Sequence, residues 1–308
     1  MSYLEQMQSR IDRGEAVILD GATGTELQRR GVPMHGVCWS ATALTSHPQV
    51  VRQIHEDYIR AGADIIITNT FSTDRPTLEL AGMGDQARDL TARAVALAKE
   101  ARDAAADRPV CIAGSMARHG EGLERAPTPD EAKAAYRELA HLLAEGGVDL
   151  IMLEMMRDVE SAALAIEAAV STGLLTWVGF SCRIDDGQVV LLDSRGESFA
   201  EALDSLLSLG ANLVSVMHSE VAATNAALNV VRDRWTGPSG AYAQAGRMVM
   251  PNWQFEDAIT PDEYLSIAQG WVESGVQVVG GCCGIGPEHI RALKDGLPAV
   301  ARPRRAGA

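Results

Sequence analysis

Val278-Val279-Gly280-Gly281-Cys282-Cys283-Gly284, close to the C-terminus, is the most informative stretch of the chain. Two β-branched residues run directly into glycines and two adjacent cysteines, which is typical of a buried strand that ends in a tight loop. A disulfide between adjacent cysteines distorts the peptide bond between them, so the pair favours two free thiols. Two thiolates on one loop suit a soft metal such as zinc. The alternative is a pair of small buried cysteines without a function.

The composition is that of an ordinary globular protein and argues against two classes of partner. The chain has 308 residues, of which 46% are hydrophobic and 22% are charged. Its formal net charge of -14 argues against a nucleic-acid partner, because such proteins carry basic patches. The N-terminus lacks the pattern of a signal peptide, and no apolar run reaches the ~20 residues that span a bilayer. We therefore expect no membrane partner.

The cysteine content indicates the compartment. Five cysteines are an odd number, and Cys111 and Cys182 lie inside apolar runs. This pattern fits thiol or metal chemistry in a reducing compartment better than a framework of disulfides. We expect a cytoplasmic protein.

Short apolar runs alternate with segments of helical periodicity along the chain. Several helical segments end in a glycine before the next apolar run, as in Ala61-Gly62-Ala63-Asp64. Eight strands alternating with helices predict an α/β fold, and the length favours a single (β/α)8 TIM barrel over a doubly wound sheet. We expect one domain over residues 1–308, with a core of about residues 16–297. The predicted strands are 16–20, 65–70, 109–116, 150–156, 176–182, 212–219, 240–245 and 276–281.

Polar side chains gather where these predicted strands end. In barrels of this class the loops after the strands carry the chemistry, so these side chains should share one mouth. This convergence strengthens the metal interpretation of the cysteine pair. The residues are Asp20, Asn69, Ser115, Glu154, Cys182, His218, Gln244, Cys282 and Cys283.

His218 follows the sixth predicted strand and should face Cys282 and Cys283 across the mouth. Three protein ligands with an open fourth position describe a catalytic zinc site, whereas structural sites use four ligands. An open position on zinc invites a substrate thiol, which coordination deprotonates at neutral pH. The alternative for His218 is a hydrogen-bonded structural histidine.

The loop after the first predicted strand has the composition of an anion-binding turn. The small residues Gly21, Ala22, Thr23, Gly24 and Thr25 would present backbone N–H groups before a helix, which suits a carboxylate or phosphate. The stretch is not a P-loop, because it lacks Gly-Lys-Ser/Thr.

Two acidic residues and one amide complete the predicted substrate pocket. Asp20 and Glu154 would lie across the mouth and could hold a substrate ammonium. The equally open alternative is that they cap helices or solvate loops. Asn69 could orient the substrate through its amide, or its side chain could fix a loop by bonding to nearby backbone.

Together these segments resemble the homocysteine S-methyltransferase family, whose enzymes are zinc-dependent TIM barrels. The resemblance covers roughly residues 16–297, and the glycine-cysteine motif is its most specific part. Three of the motifs, which begin at Trp39, His55 and Ala61, occur in the branch that uses S-methylmethionine. The matching motifs are Asp20-Gly21-Ala22-Thr23-Gly24-Thr25-Glu26-Leu27, Trp39-Ser40-Ala41, His55-Glu56-Asp57-Tyr58, Ala61-Gly62-Ala63-Asp64, Thr68-Asn69-Thr70-Phe71, Gly114-Ser115, Leu153-Glu154 and Gly280-Gly281-Cys282-Cys283-Gly284.

The resemblance implies a role for each part of the mouth. Cys282 and Cys283 would be ligands of Zn²⁺, Asp20 and Glu154 would bind the amino group of homocysteine, and the loop of residues 21–25 would bind its carboxylate. The implied reaction is in-line transfer of methyl from S-methylmethionine, S-adenosylmethionine or a betaine-like donor to zinc-bound thiolate, which gives methionine. No catalytic side chain is implied beyond the metal site, because a neutral thioether leaves without a proton.

Three positions depart from the family pattern. The family has its first zinc cysteine at the end of the sixth strand, and here Val216-Met217-His218 stands there, so we expect His218 to be the third ligand. A neutral imidazole leaves the site one negative charge poorer, which predicts a substrate thiolate that is held more tightly and is less nucleophilic. Ser115-Met116-Ala117-Arg118-His119-Gly120 and Ala243-Gln244-Ala245-Gly246 replace the family's Ser-x-Gly-Pro and Pro-Asn-x-Gly, so donor and acceptor identity cannot be carried over.

Three hypotheses for the function follow. The first is zinc-dependent transfer of methyl to homocysteine. The second keeps the scaffold but methylates another small thiol or selenol, or demethylates a sulfonium osmolyte. The third is a metal-free barrel that serves as a binding or partner subunit. A metal assay separates the third hypothesis from the others, and a panel of acceptors and donors separates the first two.

Overall fold

The computed structural model describes residues 1–117, 128–193, 195–249, 254–256 and 258–298, and its main sheet is a barrel of parallel strands. Eight strands are neighbours in the order β1-β12-β9-β8-β5-β4-β3-β2, and a parallel bridge between Leu19 and Ile65 joins the two ends. The predicted (β/α)8 TIM barrel is therefore confirmed. The strands are β1 (Val17–Ile18), β2 (Ile65–Ile67), β3 (Cys111–Ala117), β4 (Leu150–Met156), β5 (Leu175–Phe180), β6 (Cys182–Asp185), β7 (Gln188–Leu191), β8 (Leu213–Met217), β9 (Ser239–Tyr242), β10 (Arg247–Val249), β11 (Gln254–Glu256) and β12 (Val278–Val279).

Helices follow the barrel strands and cover the outside of the sheet. Thr128 and Thr260 begin two of them with capping boxes, in which the threonine hydroxyl accepts a backbone N–H and a glutamate three residues on returns the bond. The helices are α1 (Tyr3–Asp12), α2 (Thr23–Arg29), α3 (Ala43–Ser46), α4 (Pro48–Ala61), α5 (Arg75–Leu80), α6 (Ala87–Ala105), α7 (Pro129–Gly146), α8 (Val159–Val170), α9 (Phe199–Leu206), α10 (Val221–Arg234), α11 (Pro261–Glu273) and α12 (Pro287–Gly296).

The apolar residues of the barrel strands divide between two cores because successive side chains point to opposite faces of a strand. In β4, Leu150 and Met152 pack inside the barrel, whereas Ile151 and Leu153 pack against the helices. Helix α1, which the sequence analysis did not predict, lies under the N-terminal end of the barrel. Its residues Met7 and Ile11 belong to the interior core. That end is closed by apolar packing, so the opposite end is left for chemistry.

Two antiparallel hairpins lie outside the barrel sheet. The hairpin β6–β7 follows β5 and packs against α9 and α10, and β10 pairs with β11 after the seventh barrel strand. The fifth predicted strand, 176–182, is divided between β5 and β6. The expected change of the third-strand loop at Arg118, His119 and Gly120 lies outside the described residues. None of the helices in the described ranges is long and apolar enough to cross a membrane.

Candidate active site

The cysteine loop follows β12 at the C-terminal mouth of the barrel, and two glycines allow it to pass between its neighbours. A β-carbon on Gly280 would lie 2.4 Å from the Leu19 side chain, and one on Gly281 would lie 2.1 Å from the Ile285 side chain. Only glycine fits at such approaches. The N–H of Cys282 donates to the Ala243 carbonyl at 3.0 Å, which ties the loop to the neighbouring strand. Both thiols are thus fixed at the mouth by packing around the glycines.

His218 directly follows β8 and has an unusual backbone conformation. Its φ of 44° lies in the left-handed region, which few residues other than glycine adopt, although histidine is enriched there. Its N–H donates to the Tyr242 carbonyl at 3.3 Å, and only 7% of the residue is exposed. Such strain is maintained by surrounding structure and is concentrated at functional sites. Here it directs the imidazole toward the cysteine loop.

The three predicted ligands meet. His218 Nδ1 lies 3.5 Å from the sulfur of Cys282 and 3.5 Å from that of Cys283, and the two sulfurs are 3.8 Å apart. Tetrahedral zinc, with bonds of about 2.3 Å to sulfur and about 2.0–2.1 Å to nitrogen, needs sulfur–sulfur distances of about 3.8 Å and nitrogen–sulfur distances of about 3.6 Å. A search of the described part of the chain for three or more histidine, cysteine or acidic residues with donor atoms within 4.8 Å of one another finds His218, Cys282 and Cys283. The donor set therefore fits zinc.

The electrostatics of this site show why these groups suit a cation. The hydrogen bond to Cys283 and burial raise the pKa of the Cys282 thiol well above its usual value. Burial lowers the pKa of His218, whereas the charge and hydrogen bond of Cys282, together with the charge of Glu154, raise it, and the net shift is upward. A divalent cation would bind by displacing the protons of these groups.

Asp20 and Glu154 lie at the ends of β1 and β4 and are both buried, with 1% and 9% of their surfaces exposed. One oxygen of Asp20 accepts the N–H of Ile67 at 2.8 Å, and its Oδ1 is buried with no hydrogen-bond partner among the described residues. Glu154 accepts the hydroxyl of Ser115 at 2.5 Å. Burial, and then the charge of Glu154, raise the pKa of Asp20, and burial raises the pKa of Glu154 to about 7. The charge of each acid is thus destabilised in the same low-dielectric pocket, which favours a cation there.

A β-bulge sets the orientation of Glu154. The register between β4 and β5 shifts between Leu153 and Met156, and Met155 has a φ of 53°. The N–H of Met155 leaves the ladder and meets the sulfur of Met217 at 3.2 Å. Bulges next to active sites commonly re-aim a side chain. This bulge places Glu154 at the inner edge of the mouth, within reach of Ser115.

The loop of residues 21–25 lies beside the cysteine loop, and several of its groups are used to join the two loops. The Ala22 N–H donates to the Ile285 carbonyl at 3.1 Å, so it is engaged within the fold and is not free for a carboxylate. The Thr25 hydroxyl accepts the N–H of Gly284 at 3.1 Å. Thr23 begins α2, and a β-carbon on Gly24 would lie 2.1 Å from the Trp39 ring. Carboxylate binding by this loop stays a prediction, carried by the first-turn N–H groups of α2.

Asn69 is buried at the mouth, but its side chain serves a neighbouring loop. Its amide oxygen accepts the Ser40 hydroxyl at 2.7 Å, and its amide nitrogen donates to the Ser40 carbonyl at 3.0 Å. These contacts are those of the loop-fixing alternative. A direct contact with substrate stays a prediction that rests on its one remaining N–H.

Sequence reasoning missed Tyr242, whose side chain lies inside the barrel below the mouth. Tyr242 is 1% exposed, and its hydroxyl has no hydrogen-bond partner within the described residues. The alternation of β9 would have placed Tyr242 inside the barrel, two positions before Gln244. The sequence carried that signal without indicating what the hydroxyl would face.

Comparisons with known proteins agree with this arrangement. The model of the homocysteine S-methyltransferase family matches residues 17–297. The chain is 29% identical to selenocysteine methyltransferase of Astragalus bisulcatus, covering 94% of this chain and 95% of the relative. It is 27% identical to homocysteine S-methyltransferase YbgG of Bacillus subtilis, covering 94% and 97%. The metallated form of homocysteine methyltransferase MmuM from Escherichia coli superposes with a TM-score of 0.78 at 25% identity, over 94% of this chain and 99% of that one. The chain belongs to the homocysteine S-methyltransferase family, whose members are methyltransferases.

Proposed function

We propose that this protein transfers a methyl group from a sulfonium donor to the thiol of homocysteine with the help of one zinc ion. The observation that carries the proposal is the spacing of His218, Cys282 and Cys283, which matches the donor spacing of tetrahedral zinc. Homocysteine methylation, the activity of two relatives, supplies the acceptor. A metal-free binding barrel would have no reason to maintain three metal-binding atoms at these distances.

His218, Cys282 and Cys283 would hold the zinc ion and leave a position for the acceptor sulfur. Zinc would lower the pKa of the acceptor thiol, so that a thiolate is present at neutral pH. The two cysteines and the imidazole bring two negative charges to a 2+ ion, and the site would remain electrophilic toward a further thiolate. The strained backbone at His218 keeps the imidazole in place before metal arrives.

Asp20 and Glu154 would bind the ammonium group of the acceptor. Asp20 offers Oδ1, which is buried and unpartnered among the described residues, and the Ser115 hydroxyl fixes Glu154 from the other side. The ammonium would neutralise both carboxylates, whose pKa values burial raises. Anchoring the amino group at one end of the mouth would position the sulfur at the other end, next to the cysteine loop.

The transfer itself requires little further chemistry from the protein. The acceptor thiol gives its proton to solvent, and the sulfur lone pair attacks the methyl carbon of the donor. The bond between that carbon and the donor sulfur breaks, and its electron pair stays on the donor, which leaves as a neutral thioether. The leaving group needs no proton, so no side chain has to act as a general acid.

A selenol is the second candidate acceptor. The relative from Astragalus bisulcatus is a selenocysteine methyltransferase at 29% identity, and a selenolate suits the same soft metal.

The cytoplasmic location also stays a proposal. All five cysteines are free in the structure, as a reducing compartment requires.

The test is methyl transfer by the purified, zinc-loaded protein. Homocysteine and selenocysteine are offered as acceptors, each with S-methylmethionine, S-adenosylmethionine and betaine as donors. We expect the highest kcat/KM for homocysteine with one of the two sulfonium donors. A higher kcat/KM for selenocysteine would show that a selenol, not homocysteine, is the acceptor. Turnover with betaine but with neither sulfonium compound would contradict the proposal of a sulfonium donor. A zinc-loaded protein that methylates none of these acceptors would end the proposal.

A further inference from the structure

Tyr242 lies inside the barrel, and its hydroxyl reaches past β8 to the glycine of β5. A β-carbon on Gly179 of β5 would lie 2.5 Å from this hydroxyl, 2.8 Å from the Met217 side chain and 3.0 Å from the Leu153 carbonyl oxygen. The hydroxyl therefore occupies the space that the missing side chain of Gly179 leaves open. It ends close to the residue that precedes Glu154.

The hydroxyl is an exception to the rule that buried polar groups are hydrogen-bonded. Tyr242 is 1% exposed, and neither the donor nor the acceptor capacity of its oxygen is used by any described residue. The tyrosines Tyr58 and Tyr264 are equally buried, but both donate to backbone carbonyls. An unsatisfied buried hydroxyl is costly, and a phenylalanine would fill the same space without that cost. Other buried atoms of the described ranges, such as Ser215 Oγ and Ser239 Oγ, also lack a partner, but this hydroxyl lies beside the strand that carries Glu154, where a ligand would satisfy it.

The charges around the hydroxyl indicate which ligand group it would meet. The hydroxyl and the Leu153 carbonyl both border the gap at Gly179, which places the hydroxyl next to Glu154 in β4, and Glu154 and Asp20 are among the charges that act on Tyr242. A phenol is neutral at physiological pH. Asp20 Oδ1 is a second oxygen of this pocket that has no partner in the described part of the chain. A neutral oxygen placed among carboxylates adds an acceptor without adding a further negative charge. The group that such a set complements is a primary ammonium, which has three N–H donors.

We propose that Tyr242 is a third ligand of the acceptor's ammonium group, and that its hydroxyl oxygen joins Asp20 Oδ1 and the Glu154 carboxylate. This inference rests on the proposed function, because it assumes an acceptor with a free amino group. Tyr242 then determines specificity for amino-acid thiols over thiols that lack the amino group. Its carbonyl also accepts the N–H of His218, so the residue links the ammonium pocket to the metal-binding histidine.

The test compares binding of two thiols to zinc-loaded protein by calorimetry. The thiols are homocysteine and 4-mercaptobutanoate, which has the same carboxylate and thiol without the amino group. Tyr242→Phe should raise the Kd for homocysteine about tenfold, the usual effect of losing a hydrogen bond to a charged group. The same variant should keep the Kd for 4-mercaptobutanoate within about twofold of the wild-type value. Gly179→Ala, whose new β-carbon displaces the hydroxyl, should reproduce this selective loss.

Tyr264→Phe is the matched control. Its hydroxyl donates to the Gly280 carbonyl at 2.7 Å, so its loss should lower the melting temperature and change binding of both thiols by the same factor. If Tyr242→Phe also weakens both thiols equally, or leaves homocysteine unchanged, the ammonium assignment is wrong. If wild-type protein binds homocysteine no more tightly than 4-mercaptobutanoate, the failure lies with the amino-acid acceptor of the proposed function, and the role of Tyr242 is lost with it.

Discussion

Two buried aspartates lie at opposite ends of the barrel and differ in what their carboxylates contact. Asp64, before β2, accepts the Ile18 N–H at 3.0 Å and forms an ion pair with Arg10 at 2.9 Å. Asp20, after β1, has one oxygen on the Ile67 N–H and the other without a partner in the described ranges. Both carboxylate oxygens of Asp64 have partners within the protein, whereas one oxygen of Asp20 has none among the described residues.

The two ends of the barrel also differ in how they are built. The N-terminal end is closed by α1, with Met7 and Ile11 in the interior core. The C-terminal mouth contains His218 and Met155, which both have positive φ, and the Tyr242 hydroxyl, which no described residue contacts by a hydrogen bond. In barrels of this class, unsatisfied groups and strain at the C-terminal face indicate function, and satisfied pairs at the other face indicate stability. Substitutions at the two ends should therefore have separable effects.

The largest difference is expected between cysteines at the two ends. Cys283→Ser removes a thiolate from the metal-binding set and should lower methyl transfer by at least about 1000-fold with little change in melting temperature. Cys111→Ser, at the N-terminal end of β3, should retain metal and turnover. Burial raises the pKa of the Cys111 thiol to about 12, so this cysteine stays a neutral core residue. The methyl-transfer rates and melting temperatures of both variants test this difference. Equal losses of activity would show that the two ends of the barrel do not differ in function.

The aspartates should separate in the same way with a smaller effect. Asp20→Asn should lower kcat/KM for homocysteine by about 100-fold, because a charged acceptor of the ammonium is lost. Asp64→Asn should preserve kinetics but destabilise the fold by about 2–3 kcal/mol, or roughly 5–10 °C in melting temperature, because Arg10 loses its buried partner. A stability loss in Asp20→Asn as large as that in Asp64→Asn would show that Asp20 is a structural residue.

Glu154 should impose a pH dependence on acceptor binding. Burial raises its pKa to about 7, so the free carboxyl group is protonated below that pH. An ammonium binds the ionised carboxylate and lowers the pKa of Glu154. The affinity for the acceptor is therefore greatest above the pKa that Glu154 has without acceptor, and it decreases as the pH falls through that pKa. The KM for homocysteine should rise roughly tenfold between pH 8 and pH 6. Glu154→Gln should have a higher KM and a flatter profile, and an unchanged slope in this variant would assign the titration to another group.

The smallest effect is expected at the position where this chain departs from its family. His218→Cys should retain zinc and change turnover by less than about tenfold, because cysteine is also a sound ligand. The added negative charge makes the site less electrophilic, so the pKa of the acceptor thiol rises and the acid limb of the pH–rate profile should move to higher pH. A shift to lower pH, or no shift, would contradict the charge argument.

The barrel and the meeting of His218, Cys282 and Cys283 at its mouth could be predicted from the sequence because their signals are local. Apolar runs followed by glycines predicted the strands and the cysteine loop, and the family motif at Cys282 and Cys283 added the metal. His218 followed from its position after the sixth strand. Rules of periodicity and spacing suffice where the functional atoms lie directly at strand ends.

The contacts between loops could not be predicted, because they depend on how distant segments pack. The Ala22 N–H bonds to the Ile285 carbonyl, and Asn69 bonds to Ser40. Nothing in the local sequence fixes these partners. The position of the Tyr242 hydroxyl depends on the gap at Gly179, which lies beyond β8 in the sheet. Helix α1 was missed although Ser2 and Glu5 carry the sequence signal of a capping box; what that signal does not specify is the position of the helix under the barrel.

The most direct test of the account is the zinc content of freshly purified protein, measured by mass spectrometry in the wild type and in His218→Ala. The account predicts about one zinc per chain in the wild type and close to none in His218→Ala, because two thiolates on one loop should not retain the ion after dialysis. Wild-type protein that neither contains nor takes up zinc, or a His218→Ala variant that keeps a full equivalent, would contradict it.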